Sequence, residues 1–168
     1  VDDSAFAMRP DLARTAKQFA AAHSEGGDSS PRCTVMETQE QPVLMIRAKV
    51  IATDIAKEIG RMLPAVMAQV TTAGGAPAGA PYSRYHSFDG RTFDLECGIP
   101  VVDAIEGKGE VEAAVLPAGK AVSTWHIGPY HTLTESHNRI VAWIGDHEMK
   151  AAGGLWEIYW TDPGLEPD

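Results

Sequence analysis

Two amphipathic helical patterns, each set among short strands in the same order, divide most of this 168-residue chain into matching halves. The first helix reads from about Asp54 to Val70, with Ile55, Ile59, Met62, Leu63 and Val66 along one stripe. Pro64 falls inside it and is expected to kink it, because proline removes a hydrogen bond and crowds the preceding turn. Shifted by 78 positions, the stripe lands on Leu133, His137, Ile140, Val141 and Ile144, in a helix read from about Leu133 to Met149. Strands are expected at Val35 to Thr38, Val43 to Ile51, Tyr82 to Phe88 and Thr92 to Ile99 in the first half, the last two joined by an Asp89-Gly90 hairpin turn. The second half supplies Val111 to Leu116, Ala121 to Ile127 and Leu155 to Thr161. A shift of 75 carries Pro42 onto Pro117 and Tyr82 onto Glu157, so three extra residues precede the second helix, where Gly128, Pro129 and Tyr130 stand. The same shift puts a closing strand at 167 to 174, past Asp168. Either that strand is lost or the chain continues past its ordered part; a second copy of the chain, in a homodimer, is one source for it.

The length suits one domain with a proper core. Residues 1–32 read as an appendage, with a short helix at Pro10 to His23 and a Gly- and Ser-rich linker at Ser24 to Pro31; residues 33–168 read as the domain proper. A net charge of -9 and a pI near 5.1 argue against nucleic acid or an anionic membrane as partner, since both need a basic patch, and favour small cations. With no membrane-length apolar run and no signal-peptide pattern at Val1 to Ser4, a cytoplasmic protein is expected. Cys33 and Cys97 are too isolated for a zinc site or a disulfide framework, and Cys97, alternating with Phe93, Leu95 and Ile99, reads as a buried thiol.

The unusual charge is Glu157, in the run Trp156, Glu157, Ile158, Tyr159, Trp160. Side chains alternate along a strand, so Glu157, Tyr159 and Thr161 share one face and Trp156, Ile158 and Trp160 the other. The tryptophan face reads as core and the glutamate face as a site. A carboxylate among rings loses hydration and calls for a cation, a donor or a ligand; an edge-strand glutamate that reaches solvent is the plainer alternative. Tyr130, placed at the helix mouth by the Gly-Pro turn, either closes the core or meets a ligand. Thr132 with Glu135 fits a capping box for the second helix. Tyr85 points away from Tyr82, so at most one of them can line a site.

His126, His131 and His137, with Glu135 or Asp146, have the wrong spacing for a metal site, and no metal or other cofactor is expected. Ser136 and His137 diverge around the helix, and no phosphate loop or nucleophile elbow is present. Trp125 and Trp143 read as packing residues.

The turn Gly128, Pro129, Tyr130 opening a helix, the segment Trp156 to Tyr159 followed by Thr161, Asp162, Pro163, and the duplicated order together resemble the GyrI-like effector-binding family, which also forms the sensing domain of AraC-type and MerR-type regulators. The likeness covers roughly residues 33 to 168. It implies an α+β fold of two pseudo-symmetric β-α-β-β units, with an antiparallel sheet, helices packed on one side and the final strand missing. It also implies a groove between the units for small aromatic or cationic compounds, as in multidrug binding, with Glu157 as anchor and Tyr130, Tyr82 and Tyr159 as walls. A stand-alone binding protein, for sensing or sequestration, follows from that. The family also contains proteins similar to hydrolases of cyclopropane-containing DNA-alkylating natural products, for which Glu157 would be the general base and Tyr130 a positioning group. Its name-giving members resemble DNA gyrase inhibitors, which implies a third, protein-interaction reading.

Overall fold

The computed structural model describes residues 32–127 and 129–160. The helix and linker read before Arg32, Gly128 of the Gly-Pro turn, and Thr161, Asp162 and Pro163 lie outside the described residues. Within them the order is β1 (Thr34–Thr38), β2 (Gln41–Ile51), a 3-10 turn (Ala52–Asp54), α1 (Ile55–Thr72), β3 (Tyr82–Phe88), β4 (Thr92–Pro100), β5 (Glu112–Leu116), β6 (Gly119–Ser123), a 3-10 turn (Tyr130–Thr132), α2 (Leu133–Asp146) and β7 (Leu155–Ile158). The fold is α+β, and every strand pairing is antiparallel: β1 with β6, and a five-stranded sheet in the order β5-β2-β4-β3-β7.

Periodicity explains the core. Leu44, Ile46 and Val50 of β2 and Leu95, Cys97 and Ile99 of β4 alternate onto one face, where α1 lays down Ile59, Met62, Leu63, Val66 and Val70. Met62, Val66 and Val70 have no exposed surface, and each such burial stabilises the fold by roughly 1.5–3 kcal/mol. Pro64 lies on the exposed side of α1, and the helix runs on past it to Thr72. On the opposite face of the sheet Val43, Met45, Tyr82 and Leu116 form a smaller cluster.

Several boundaries differ from the sequence reading. β6 begins at Gly119 and stops at Ser123, so Trp125 and His126 sit in irregular chain. α2 ends at Asp146, before Met149, because Glu148 takes a left-handed conformation (φ 53°) that a continuing helix cannot accommodate. The capping box does not form. The 3-10 turn lets the Thr132 hydroxyl fold back and donate to the Pro129 carbonyl at 2.8 Å, and no side chain caps α2. The β3–β4 hairpin does close on Asp89, whose carboxylate accepts from the Arg91 and Thr92 amides and the Thr92 hydroxyl, with Gly90 at φ 93°.

Candidate functional site

The position of Glu157 follows from the register of β7 on β3. Glu157 stands opposite Ser83, and Leu155 opposite Tyr85, so Glu157, Ser83 and Tyr85 share the face on which α1 packs. Trp156 pairs with Arg84 on the other face, where the guanidinium lies 4.9 Å from the ring centroid. The main core therefore lies on the glutamate face and not on the tryptophan face, where the sequence reading expected it. Trp156 is half-buried, while Ile158 and Trp160 are 52% and 40% exposed; Tyr159 is buried in the main core. The physical reason is that α1 packs on the glutamate face of the sheet, whereas among the described residues no helix packs on the tryptophan face in the same way.

Only 8% of the Glu157 side chain is exposed. Its Oε2 accepts a hydrogen bond from Tyr159 Oη at 2.6 Å and another from Tyr85 Oη at 3.2 Å. From α2, His137 Nε2 comes within 2.9 Å of Oε1. That nitrogen is buried and, among the described residues, makes no hydrogen bond, because the contact lies off the line that one requires. Burial first, and the Glu157 charge second, push the phenol pKa values of Tyr159 and Tyr85 above the usual tyrosine range. Both phenols therefore remain donors at any ordinary pH. The Tyr130 ring lies 6.1 Å from that of Tyr159, and Phe93 meets Tyr85 edge-on at 5.6 Å. An anion lined by aromatic rings can attract a cation through its charge and through the ring faces together.

Of the residues singled out in the sequence, Glu157, Tyr159 and Tyr130 come together and Tyr82 does not. Tyr82 lies buried on the reverse face, where its hydroxyl donates to Glu96 Oε1 at 2.5 Å. His86 Nε2 lies 2.6 Å from the other Glu96 oxygen. Gly98, directly opposite Tyr82, makes room for that ring: a Cβ there would come within 2.6 Å of the hydroxyl. Tyr85 and His137 are the contributors that sequence reasoning missed. Alternation separates Tyr85 from Tyr82, but only the pairing of β7 with β3 shows which of them meets Glu157. His137 was legible as a polar residue on an otherwise apolar stripe. His126 is occupied elsewhere, with Ser136 Oγ 3.0 Å from one ring nitrogen and the Pro129 carbonyl 3.0 Å from the other. Among the described residues, no group of three or more His, Cys, Asp or Glu is arranged to hold a metal, and no helix is long and apolar enough to cross a membrane.

The model of the GyrI-like small molecule binding domain matches residues 32–168. The chain belongs to this family. A ligand-binding role for this GyrI-like chain and its α+β fold agree with the resemblance drawn from the sequence motifs. Among solved structures, the EcmrR C-terminal domain is similar with a TM-score of 0.71 and 23% identity, over 82% of this chain and 89% of that one. A chain of the EcmrR–DNA complex gives a TM-score of 0.71 and 20% identity, over 94% of this chain and 60% of that one. The GyrI-like chain thus spans 60% of that EcmrR chain, and at these identities the likeness is one of fold. No curated protein matches it in sequence.

Proposed function

We propose that this chain is a cytoplasmic binding module for small hydrophobic organic cations, acting in sensing or sequestration, with Glu157 as the anchor of the bound charge. The observation that carries the reading is a carboxylate buried beside Tyr85 and Tyr159, with the Tyr130 ring next to that of Tyr159, and among the described residues not in an ion pair with Lys or Arg. Burial raises the strength of its field, and the rings offer a cation about 0.5–2 kcal/mol for each good face contact. Tyr130 and Tyr159 would act as walls, joined by Tyr85; the geometry offers no such place to Tyr82.

Calorimetric titration with tetraphenylphosphonium, a cation whose charge does not titrate, tests this. Glu157→Gln keeps the shape and removes the charge. It is expected to weaken binding roughly 10- to 100-fold, the size of one charged interaction of about 1.5–3 kcal/mol, while the neutral triphenylphosphine oxide is affected little. Unchanged affinity for the cation in Glu157→Gln would remove Glu157 from the site.

A further inference from the structure

Strand β3 changes face near its end. Tyr82, Ser83, Arg84 and Tyr85 pair in turn with Gly98, Cys97, Glu96 and Leu95 of β4, and His86 is then left over before Ser87 meets Asp94 and Phe88 meets Phe93. Strict alternation would turn Phe88 to the face of Tyr82; the extra residue turns it to the face of Tyr85 and Glu157. The bulge is held from the other side, where His86 Nε2 lies 2.6 Å from Glu96 Oε2. On the Glu157 face Phe88 stacks on Phe93 at 4.3 Å, Phe93 meets Tyr85 edge-on at 5.6 Å, and the Tyr85 hydroxyl reaches Glu157. The rings thus form an unbroken track from the buried carboxylate to the β3–β4 hairpin. We propose that Phe88 and Phe93 are an outer subsite for an aryl arm of the ligand, so that the site selects elongated cations with the charge at one end and an aromatic ring at the other.

Burial alone does not account for this placement of Phe88. The residue stays 52% exposed, so the core gains little from having it on the α1 face. The layout of the fold does account for it. The core of α1 is laid on β2 and β4, while His137 brings α2 to Glu157 on β7, so β3 lies between the two helices. Glu157 stands opposite Ser83, and Tyr85 and then Phe88 follow along β3 toward the hairpin, where the Asp89 carboxylate fixes the turn. The stretch from Ser83 to Phe88 spans roughly 15 Å of strand. A ligand anchored at Glu157 and extended along β3 therefore meets Phe88 and Phe93 with its far end. Phenylalanine has no hydrogen-bonding group, so the outer subsite suits an apolar ring, whereas the inner one, with its carboxylate, suits a charge.

This inference rests on the cation-binding reading above, and paired probes separate the two. Calorimetry compares octyltrimethylammonium with its ω-phenyloctyl analogue, whose arm is long enough to follow β3, and ethyltrimethylammonium with its phenylethyl analogue, whose arm is too short. Phe88→Ala is expected to weaken the phenyloctyl probe about 3- to 10-fold, the size of one good ring contact, and to leave the octyl and phenylethyl probes unchanged. Phe88→Trp keeps a ring in place; it should hold the phenyloctyl affinity and add a fluorescence change that the octyl probe does not produce. Equal affinity of wild type and Phe88→Ala for the phenyloctyl probe overturns the subsite, and so does an equal loss for the octyl probe. A dimer that Phe88→Ala dissociates with every affinity unchanged would give Phe88 to a second copy of the chain and overturn it as well. In each of these cases Glu157→Gln still weakens every probe, and the anchoring role stands. If Glu157→Gln binds all four probes as wild type does, or none binds saturably, the reading and the subsite both fall. The ratio of two probes on one variant is independent of the fraction folded, so the test stands even where a substitution costs stability.

Discussion

At the scale of single residues, burial decides the chemistry of side chains that look alike in the sequence. Cys97 has no exposed surface, its sulfur lies 3.3 Å from Ser83 Oγ, and burial pushes the thiol up to about 11. Cys33 is half-buried at the start of β1, with its sulfur 3.8 Å from the Arg139 carbonyl. Native protein near pH 8 is therefore expected to react quickly with one equivalent of a disulfide reagent, and with a second only after unfolding; Cys33→Ser should leave no fast thiol. The sign of the linkage follows. The neutral Cys97 thiol favours the fold fully below the ordinary value of 9.0, and that contribution is lost as pH rises toward about 11, because the unfolded chain ionises first. Glu157 shows the same dependence on context. Its presence in an aromatic run was legible, but its partners were not: Tyr85 lies 72 positions away in sequence and His137 20 positions away on another element.

At the scale of elements, helices were easier to read than strand pairings. The α1 stripe is a property of local periodicity, and the helix forms where the stripe says, with Ile59, Met62, Leu63, Val66 and Val70 buried. The pairing of β7 with β3 depends on contacts distant in sequence, and a shift of one residue would have turned Glu157 to the other face. Glycine makes that pairing possible. A Cβ at Gly154 would overlap the Tyr85 carbonyl oxygen, while at Gly153 the nearest atom is the Arg84 guanidinium at 3.9 Å. Gly154→Ala should lower stability by about 1–3 kcal/mol in urea unfolding and weaken cation binding by displacing β7, whereas Gly153→Ala should unfold close to wild type. Equal effects at the two positions would show that the close approach of β7 to Tyr85 does not matter.

At the scale of the whole molecule, the chain carries a net charge of -9, and the proposed site contains a buried carboxylate of the same sign. A negative field draws cations toward the protein before any contact is made, and salt screens it over about 10 Å at 0.1 M. The association rate of tetraphenylphosphonium, followed by stopped-flow fluorescence, is expected to fall several-fold between low salt and about 0.3 M salt. Dissociation should change far less, because the anchoring contact is buried and poorly screened. An association rate indifferent to salt would mean that capture depends on the site alone. The five-stranded sheet serves this arrangement by separating two buried carboxylates: Glu157 on the α1 face, and Glu96 with Tyr82 and His86 on the reverse.

Sequence by itself determined the α+β class, the α1 stripe, the Asp89 hairpin, the family motifs and the placing of a charge among aromatic residues, because each depends on neighbours a few positions apart or on a short motif. Tertiary structure alone decided that the glutamate face is the covered one, that Tyr85 rather than Tyr82 reaches Glu157, and that His137 stands at its second oxygen. Those outcomes depend on the register of β7 and on where α2 comes to rest, and both are set by packing between segments that the sequence separates.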